Sequence, residues 1–225
     1  MMNILALLQC IESDLTTTNL RRMSRVVKAM LSMTGRVTML GISRWTGKGG
    51  SYRTVQRFFN AIIAWEQVFS RFFEHHLFQA ENEYFLVGDE SVITKSGKET
   101  HGLDYFFSGL LNKVVKSIAI FSLSLVCVEE RCSYPMQVEQ VVRSEADKVA
   151  AKTRKKKKQS KKNSKEPKKK PGRPKGSKNR DKTQVELTPE LLRIQKMIKS
   201  QLEILKKFLT IRHLALDGHF GNNNA

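Results

Sequence analysis

The chain is poor in cysteine, and the three it has, Cys10, Cys127 and Cys132, are odd in number and show no Cys-x-x-Cys spacing. That argues against a disulfide framework or a Cys-based zinc site and fits a reducing compartment. The opening MMNILALLQCIESDL lacks a basic leading region and a small-residue cleavage site, so it does not read as a secretory signal. Long apolar runs are missing too. The longest, SIAIFSLSLVCV, is about half of the roughly 20 residues that span a bilayer. No P-loop, Ser-His-Asp or reactive-cysteine arrangement stands out. A soluble, intracellular chain with no membrane partner is expected.

What is abundant is positive charge, and it is concentrated. The 225 residues carry a formal charge of +19. Residues 148 to 182 hold 18 Lys or Arg against Glu166 and Asp181, and the rest of the chain holds 22 basic and 19 acidic groups. The chain thus reads as a near-neutral globular protein interrupted by one polycation. Such a segment binds polyanions by displacing their counterions, which makes nucleic acid the default partner.

Residues 1–80 read as helical, with Ile4, Leu5, Leu7, Leu8 and Ile11, then Leu20, Met23, Val27 and Met30, at helical spacing. Within them, residues 37–62 break into a helix, a Gly-rich turn at Gly47 to Gly50 and a second helix capped by Ser51. From Tyr84 the texture turns to β. YFLVGDESVIT is an apolar run ending near Asp89, VVKSIAIFSLSLVCVEE is rich in β-branched residues, and CSYPMQVEQVV makes a hairpin with it across Glu129 to Arg131. The segment 148–187 has Lys, Ser, Pro and Gly in place of apolar residues and is expected to be disordered. Thr188 then caps a helix beginning at Pro189, with Leu191, Ile194, Ile198, Leu202, Leu205 and Leu209 as its apolar stripe and Lys196, Lys199 and Lys206 left to solvent. IRHLALD closes as a last strand.

Asp89 and Asp217 stand 128 positions apart, each at or near the end of an expected strand. If those strands are parallel neighbours joined by a right-handed crossover, their carboxylates converge on one edge of the sheet. Paired carboxylates suit hard, oxygen-seeking Mg²⁺ or Mn²⁺, whose chemistry serves phosphodiester cleavage. Asp217-Gly218 is equally what an ordinary turn uses, and Asp89 can cap a loop.

The segments LVGDESVITKSGKETHGLDYFFSGLLNKVVKS and LALDGHFGN resemble bacterial insertion-sequence transposases with a DDE, RNase H-like catalytic domain, over most of residues 20–225. In that family the first Asp is often followed by a hydroxyl residue and a Lys-x-Gly-Lys stretch, here Ser91 and Lys95 to Lys98, and the second by a Gly and an aromatic, here Gly218 and Phe220. The resemblance implies that Asp89 and Asp217 are the first two metal-binding, catalytic acids. It places the third, a Glu, on a helix well beyond the second Asp, where this sequence has no residues. Glu203 precedes the second Asp and does not match that position. An inactive or truncated copy is therefore expected.

Two further segments point to DNA. The second helix of residues 37–62, Ser51 to Ala61, would present Tyr52, Arg53, Gln56 and Arg57 to the major groove, where Arg and Gln read guanine and adenine edges. Helix pairs with a Gly turn are also common in plain helical cores, and Phe58 and Phe59 imply that part of this helix is buried. KKKPGRPKGSKNR resembles an AT-hook, with Lys170, Arg173, Lys175 and Lys178 as its DNA contacts, although Pro171 stands where the usual hook has Arg. Nonspecific phosphate contact is the expected outcome there. His75 and His76, adjacent on a helix, are expected to be surface residues that do not face each other.

The expected fold is α/β. Residues 1–80 form a helical, helix-turn-helix-like DNA-binding module, and 81–147 form the first three strands of an RNase H-like mixed sheet. The disordered basic insert is 148–187, and 188–225 add a helix and the fourth strand of a sheet left incomplete. The expected function is DNA transposition by metal-dependent cleavage and strand transfer on double-stranded DNA, both transposon ends and target, in the bacterial cytoplasm at the nucleoid. Self-association is compatible with it. The alternative is a noncatalytic DNA-binding regulator that occupies transposon ends.

Overall fold

Short polar caps start four of the α-helices within the first 80 residues, and β-branched alternation takes over after them. A computed structural model describes residues 3–47, 50–144, 149, 187–217 and 220. Among these, α1 (Ile4–Leu7) runs into a 3-10 helix (Leu8–Asp14), followed by α2 (Thr17–Ser32), α3 (Met39–Trp45), α4 (Tyr52–Phe59) and α5 (Trp65–His76). Thr16, Thr38 and Ser51 each cap the helix that follows by accepting a backbone N–H three residues on. Between α3 and α4 the chain turns at Gly47, whose φ of +64° favours glycine.

The strands are β1 (Tyr84–Thr94), β2 (Asp104–Ser108), β3 (Lys113–Cys127), β4 (Cys132–Val141) and β5 (Leu214–Leu216), with α6 (Pro189–Leu205) before the last. The strand order is β2-β3-β1-β5, with β4 also paired to β3. The fold is therefore α/β with its helices leading, as the sequence implies. The β3–β4 hairpin lies where it was expected, with Arg131 at a positive φ of 54° in its turn. One strand was not anticipated. β2, only five residues of DYFFS, pairs antiparallel with the start of β3, Asp104 opposite Ser117 and Ser108 opposite Lys113.

The residues group into two compact units. The first comprises residues 1–86, 124–137 and 197–213. Its helices close on two apolar clusters, Leu8, Ile11, Leu15, Leu20 and Val68, and then Val26, Ala29, Ile42, Val55 and Phe58. Phe73 gathers Tyr84, Tyr134 and Phe208 around it, with ring centroids 5.1 to 6.3 Å away. Buried Gln201 donates to the Ser70 hydroxyl at 3.0 Å, and that hydroxyl donates to the Glu66 carbonyl at 2.7 Å. The apolar stripe expected on α6 is thereby shifted. Ile194, Met197, Gln201 and Leu205 are its buried residues, while Leu191, Ile198 and Leu202 are only half-buried. A polar side chain with a buried partner holds a core position that an apolar count passes over. Lys196, Lys199 and Lys206 are exposed as expected.

The second unit comprises residues 87–123, 138–196 and 214–225. Strict alternation along β3 buries Ser117, Ala119, Phe121 and Leu123 on one face of the sheet. Thr188 caps α6 by accepting the Leu191 N–H at 3.3 Å, and Pro189 occupies the first helical position, where its missing N–H costs nothing. The basic insert with its AT-hook-like residues Lys170, Arg173, Lys175 and Lys178 lies outside the described residues, as does Gly218.

Candidate active site and nucleic-acid interface

One backbone hydrogen bond and one side-chain contact set the direction of the strands that lead to the acids. The Leu86 N–H donates to the His213 carbonyl at 3.1 Å, and Gly88 lies against Leu216. Partner numbers rise together, so β1 and β5 run parallel, and this register brings Asp89 beside Asp217. On its other side β1 runs antiparallel to β3, since Glu83 accepts from the Val128 N–H and Lys95 donates to the Lys116 carbonyl, both at 3.1 Å. Asp89 therefore stands opposite Ser122, whose hydroxyl donates to the Asp89 carbonyl at 3.5 Å.

Side chains alternate along a strand, so the residues before the acids face the other way. Gly88 and Leu216 meet on the face lined by Phe121 and Leu123, alternation along β1 puts Asp89 on the opposite face, and Asp89 and Asp217 are both exposed. A Cβ at Gly88 would fall 2.6 Å from Leu216 Cδ2, 2.8 Å from Phe121 Cζ and 3.2 Å from Leu123 Cδ2. Only glycine lets these three side chains close beneath the acids. Beyond Asp217 the Phe220 N–H donates to the Asp217 carbonyl at 2.8 Å, and the buried Phe220 ring packs edge-on against Phe121, 5.5 Å between centroids. Burying such a ring contributes about 1.5–3 kcal/mol, enough to anchor the chain after the second acid.

Asp89, expected at or near the end of its strand, lies within it, because β1 continues to Thr94 along β3. The shorter β5 stops at Leu216, so both acids mark the point where the β1–β5 ladder ends. The Asp89 Oδ1 accepts the Glu90 N–H at 2.8 Å, an orienting bond within its own strand. The donor set is carboxylate oxygen on an exposed edge, which fits a hard divalent cation and not a thiophilic one. Glu203 of α6 is exposed and ion-paired to Lys206.

The helix expected to face DNA has the required polarity. Tyr52, Arg53, Gln56 and Arg57 are all exposed on α4, and Val55 and Phe58 hold the opposite side in the core. Phe59, expected to be buried, is 48 % exposed, because one position past Phe58 turns a helical side chain about 100° away from the core.

Sequence reasoning missed a basic face beside this helix. Thr18, Arg21, Arg22 and Arg25 recur on α2 at the spacing of a single helical stripe, and with Thr54 of α4 they line an open cleft of about 290 Å³. The overlooked signal was local charge. Between Asp14 and Glu66 there is no acid, against nine basic residues, so the near-neutral total outside the polycation concealed an uncompensated segment. A second open cleft, in the other unit, has Lys98, Lys116 and Arg143 along its wall. Arg143 is held there by donating to the Tyr105 carbonyl at 3.0 Å and by stacking 4.3 Å over Phe106.

His75 and His76 are exposed, as expected, yet their rings do meet, with centroids 4.6 Å apart at the last turn of α5. His76 Nε2 donates to the Leu7 carbonyl at 2.8 Å and lies 3.4 Å from the Cys10 thiol, whose pKa burial pushes up. Cys10, His75 and His76 form the one such metal-capable trio among the described residues. The carbonyl bond engages His76, and the raised thiol pKa disfavours the thiolate a metal would need.

No helix among the described residues is long and apolar enough to cross a membrane. Residues 7–225 match the family described as DDE superfamily endonuclease. No curated protein and no solved structure matches the chain.

Proposed function

Since the chain belongs to the DDE superfamily endonucleases, whose members act on DNA and generally use divalent metal ions, we propose that it is an insertion-sequence transposase chain in which Asp89 and Asp217 are two of the metal-binding catalytic acids. What supports this reading is the parallel pairing of β1 with β5, whose register sets Asp89 level with Asp217 where the shorter strand ends. A bound Mg²⁺ or Mn²⁺ supplies Lewis acidity toward an attacking oxygen and a leaving one. Asp89 and Asp217 would hold it, and Gly88, Leu216 and Phe121 keep their strands in place. The DNA ligands proposed are transposon ends and target.

Residues 1–80 serve as the DNA-binding module, with Tyr52, Arg53, Gln56 and Arg57 toward the major groove. Residues 81–147 and 188–225 build the catalytic sheet, and 148–187 add phosphate contacts through Lys170, Arg173, Lys175 and Lys178. Exposed Tyr105, Phe107 and Leu110 around β2 offer apolar surface for self-association. The place of action is the bacterial cytoplasm, at the nucleoid.

The test is nicking of duplex DNA in Mg²⁺ or Mn²⁺ by the parent protein and by Asp89→Ala. Metal-dependent nicking abolished by the substitution supports the transposase reading. No nicking at any metal concentration, with DNA affinity unchanged by Asp89→Ala, would leave a noncatalytic DNA-binding protein.

A further inference from the structure

The arginine stripe of α2 has a geometry that the reading of α4 alone does not use. Val26 and Ala29 of α2 enter the same apolar cluster as Val55 and Phe58 of α4, so the two helices are locked side by side. Thr18, Arg21, Arg22 and Arg25 fall on one face of α2 and open, with Thr54 of α4, into a single cleft. Arg22 is steadied by donating to Asn19 Oδ1 at 3.4 Å. Thr54 sits in the first turn of α4, directly after Arg53 and two residues before Gln56.

We propose that this cleft is a phosphate clamp, in which Arg21, Arg22 and Arg25 with the hydroxyls of Thr18 and Thr54 hold the sugar-phosphate backbone of duplex DNA and thereby set the register of α4 in the groove. It rests on the reading of α4 as the groove-facing helix. Three features single out backbone phosphate. Guanidinium groups match phosphate oxygens in pairs. Threonine hydroxyls are common phosphate donors beside them. The segment from residue 15 to residue 65 carries nine basic residues and no acid, so its local charge favours an anion. Phosphate contacts of this kind position a protein on DNA without reading its sequence.

The experiment is a fluorescence-anisotropy titration of a labelled random-sequence duplex with the full chain, its Arg21→Gln/Arg25→Gln variant and an Arg53→Ala/Gln56→Ala variant, at KCl from about 50 to 200 mM. Circular dichroism confirms that each variant is folded. Each lost phosphate contact lowers the slope of log affinity against log salt by about 0.9, so the α2 variant is expected to lose roughly 2 units of slope and to weaken equally on every duplex in a sequence panel. The α4 variant is expected to change preference within that panel. A folded α2 variant with parental slope and affinity overturns the clamp, whatever the α4 variant does. A reduced slope in the α2 variant with no change in preference for the α4 variant keeps the clamp as a phosphate site and removes the groove reading instead. A folded α2 variant that alters preference between duplexes without altering the slope also overturns it.

Discussion

Replacing Gly88 by alanine tests the packing that holds the two acids together. At an open strand position Ala would stabilise the protein by about 0.4–1 kcal/mol, because it narrows the unfolded ensemble. Here the new methyl would lie within 2.6 Å of Leu216, 2.8 Å of Phe121 and 3.2 Å of Leu123. All three obstructing atoms are side-chain ends, so they can give way, but Phe121 and Leu123 are fully buried and have little room to do so. Overpacking of this size costs about 1–3 kcal/mol. The net expectation is a loss of up to about 2.6 kcal/mol, read by thermal circular dichroism as a fall of up to about 10 °C in Tm for a chain of this length. Because Leu216 immediately precedes Asp217, the same variant should bind Mn²⁺ more weakly than the parent. An increase in Tm would show that the space beneath the acids is open and would refute the packing argument.

Other substitutions have signs that the structure decides. Ser70→Ala removes the buried hydroxyl that accepts from Gln201 and is expected to destabilise by about 1–3 kcal/mol in urea denaturation. Gln201→Met, which also removes the unpartnered Gln201 Oε1, should be close to neutral or stabilising. Ser51→Ala deletes the cap of α4 and should lower stability by about 1 kcal/mol, with a parallel loss of DNA affinity measured by anisotropy. The Tyr134 hydroxyl donates to the Glu130 carboxylate at 2.7 Å, which holds its pKa well above the ordinary 10.0. A raised folded-state pKa means that this contribution is fully present below pH about 10 and fades as pH climbs through the folded value. In a 295 nm absorbance titration, Tyr134→Phe should delete a phenol that ionises above the ordinary tyrosine range.

Much of the architecture was legible because local pattern and final environment agree. Ser51 and Thr188 are caps by residue type and caps in the fold, and the run into Cys127 alternates buried and half-buried residues from Ser117 onward. What could not be read came from contacts distant in sequence. The pairing of Leu86 with His213 sets the acids side by side, and no local signal encodes it. β2 is five residues long and is stabilised by its partner strand, so its own composition announces little. Gln201 is buried because Ser70, 131 positions away, supplies a hydrogen bond. The arginine stripe of α2 was readable in principle, since its spacing is periodic, but summing charge over the whole chain averaged it away.

The most direct test of the acid pair is Mn²⁺ binding, followed by electron paramagnetic resonance of the free ion, for the parent, Asp89→Asn and Asp217→Asn. The parent is expected to bind Mn²⁺, and each variant to lose about tenfold or more in affinity, about 1.4 kcal/mol or more, with the far-ultraviolet circular dichroism unchanged. Equal Mn²⁺ affinity in the parent and both folded variants would contradict the assignment of Asp89 and Asp217 as one metal site.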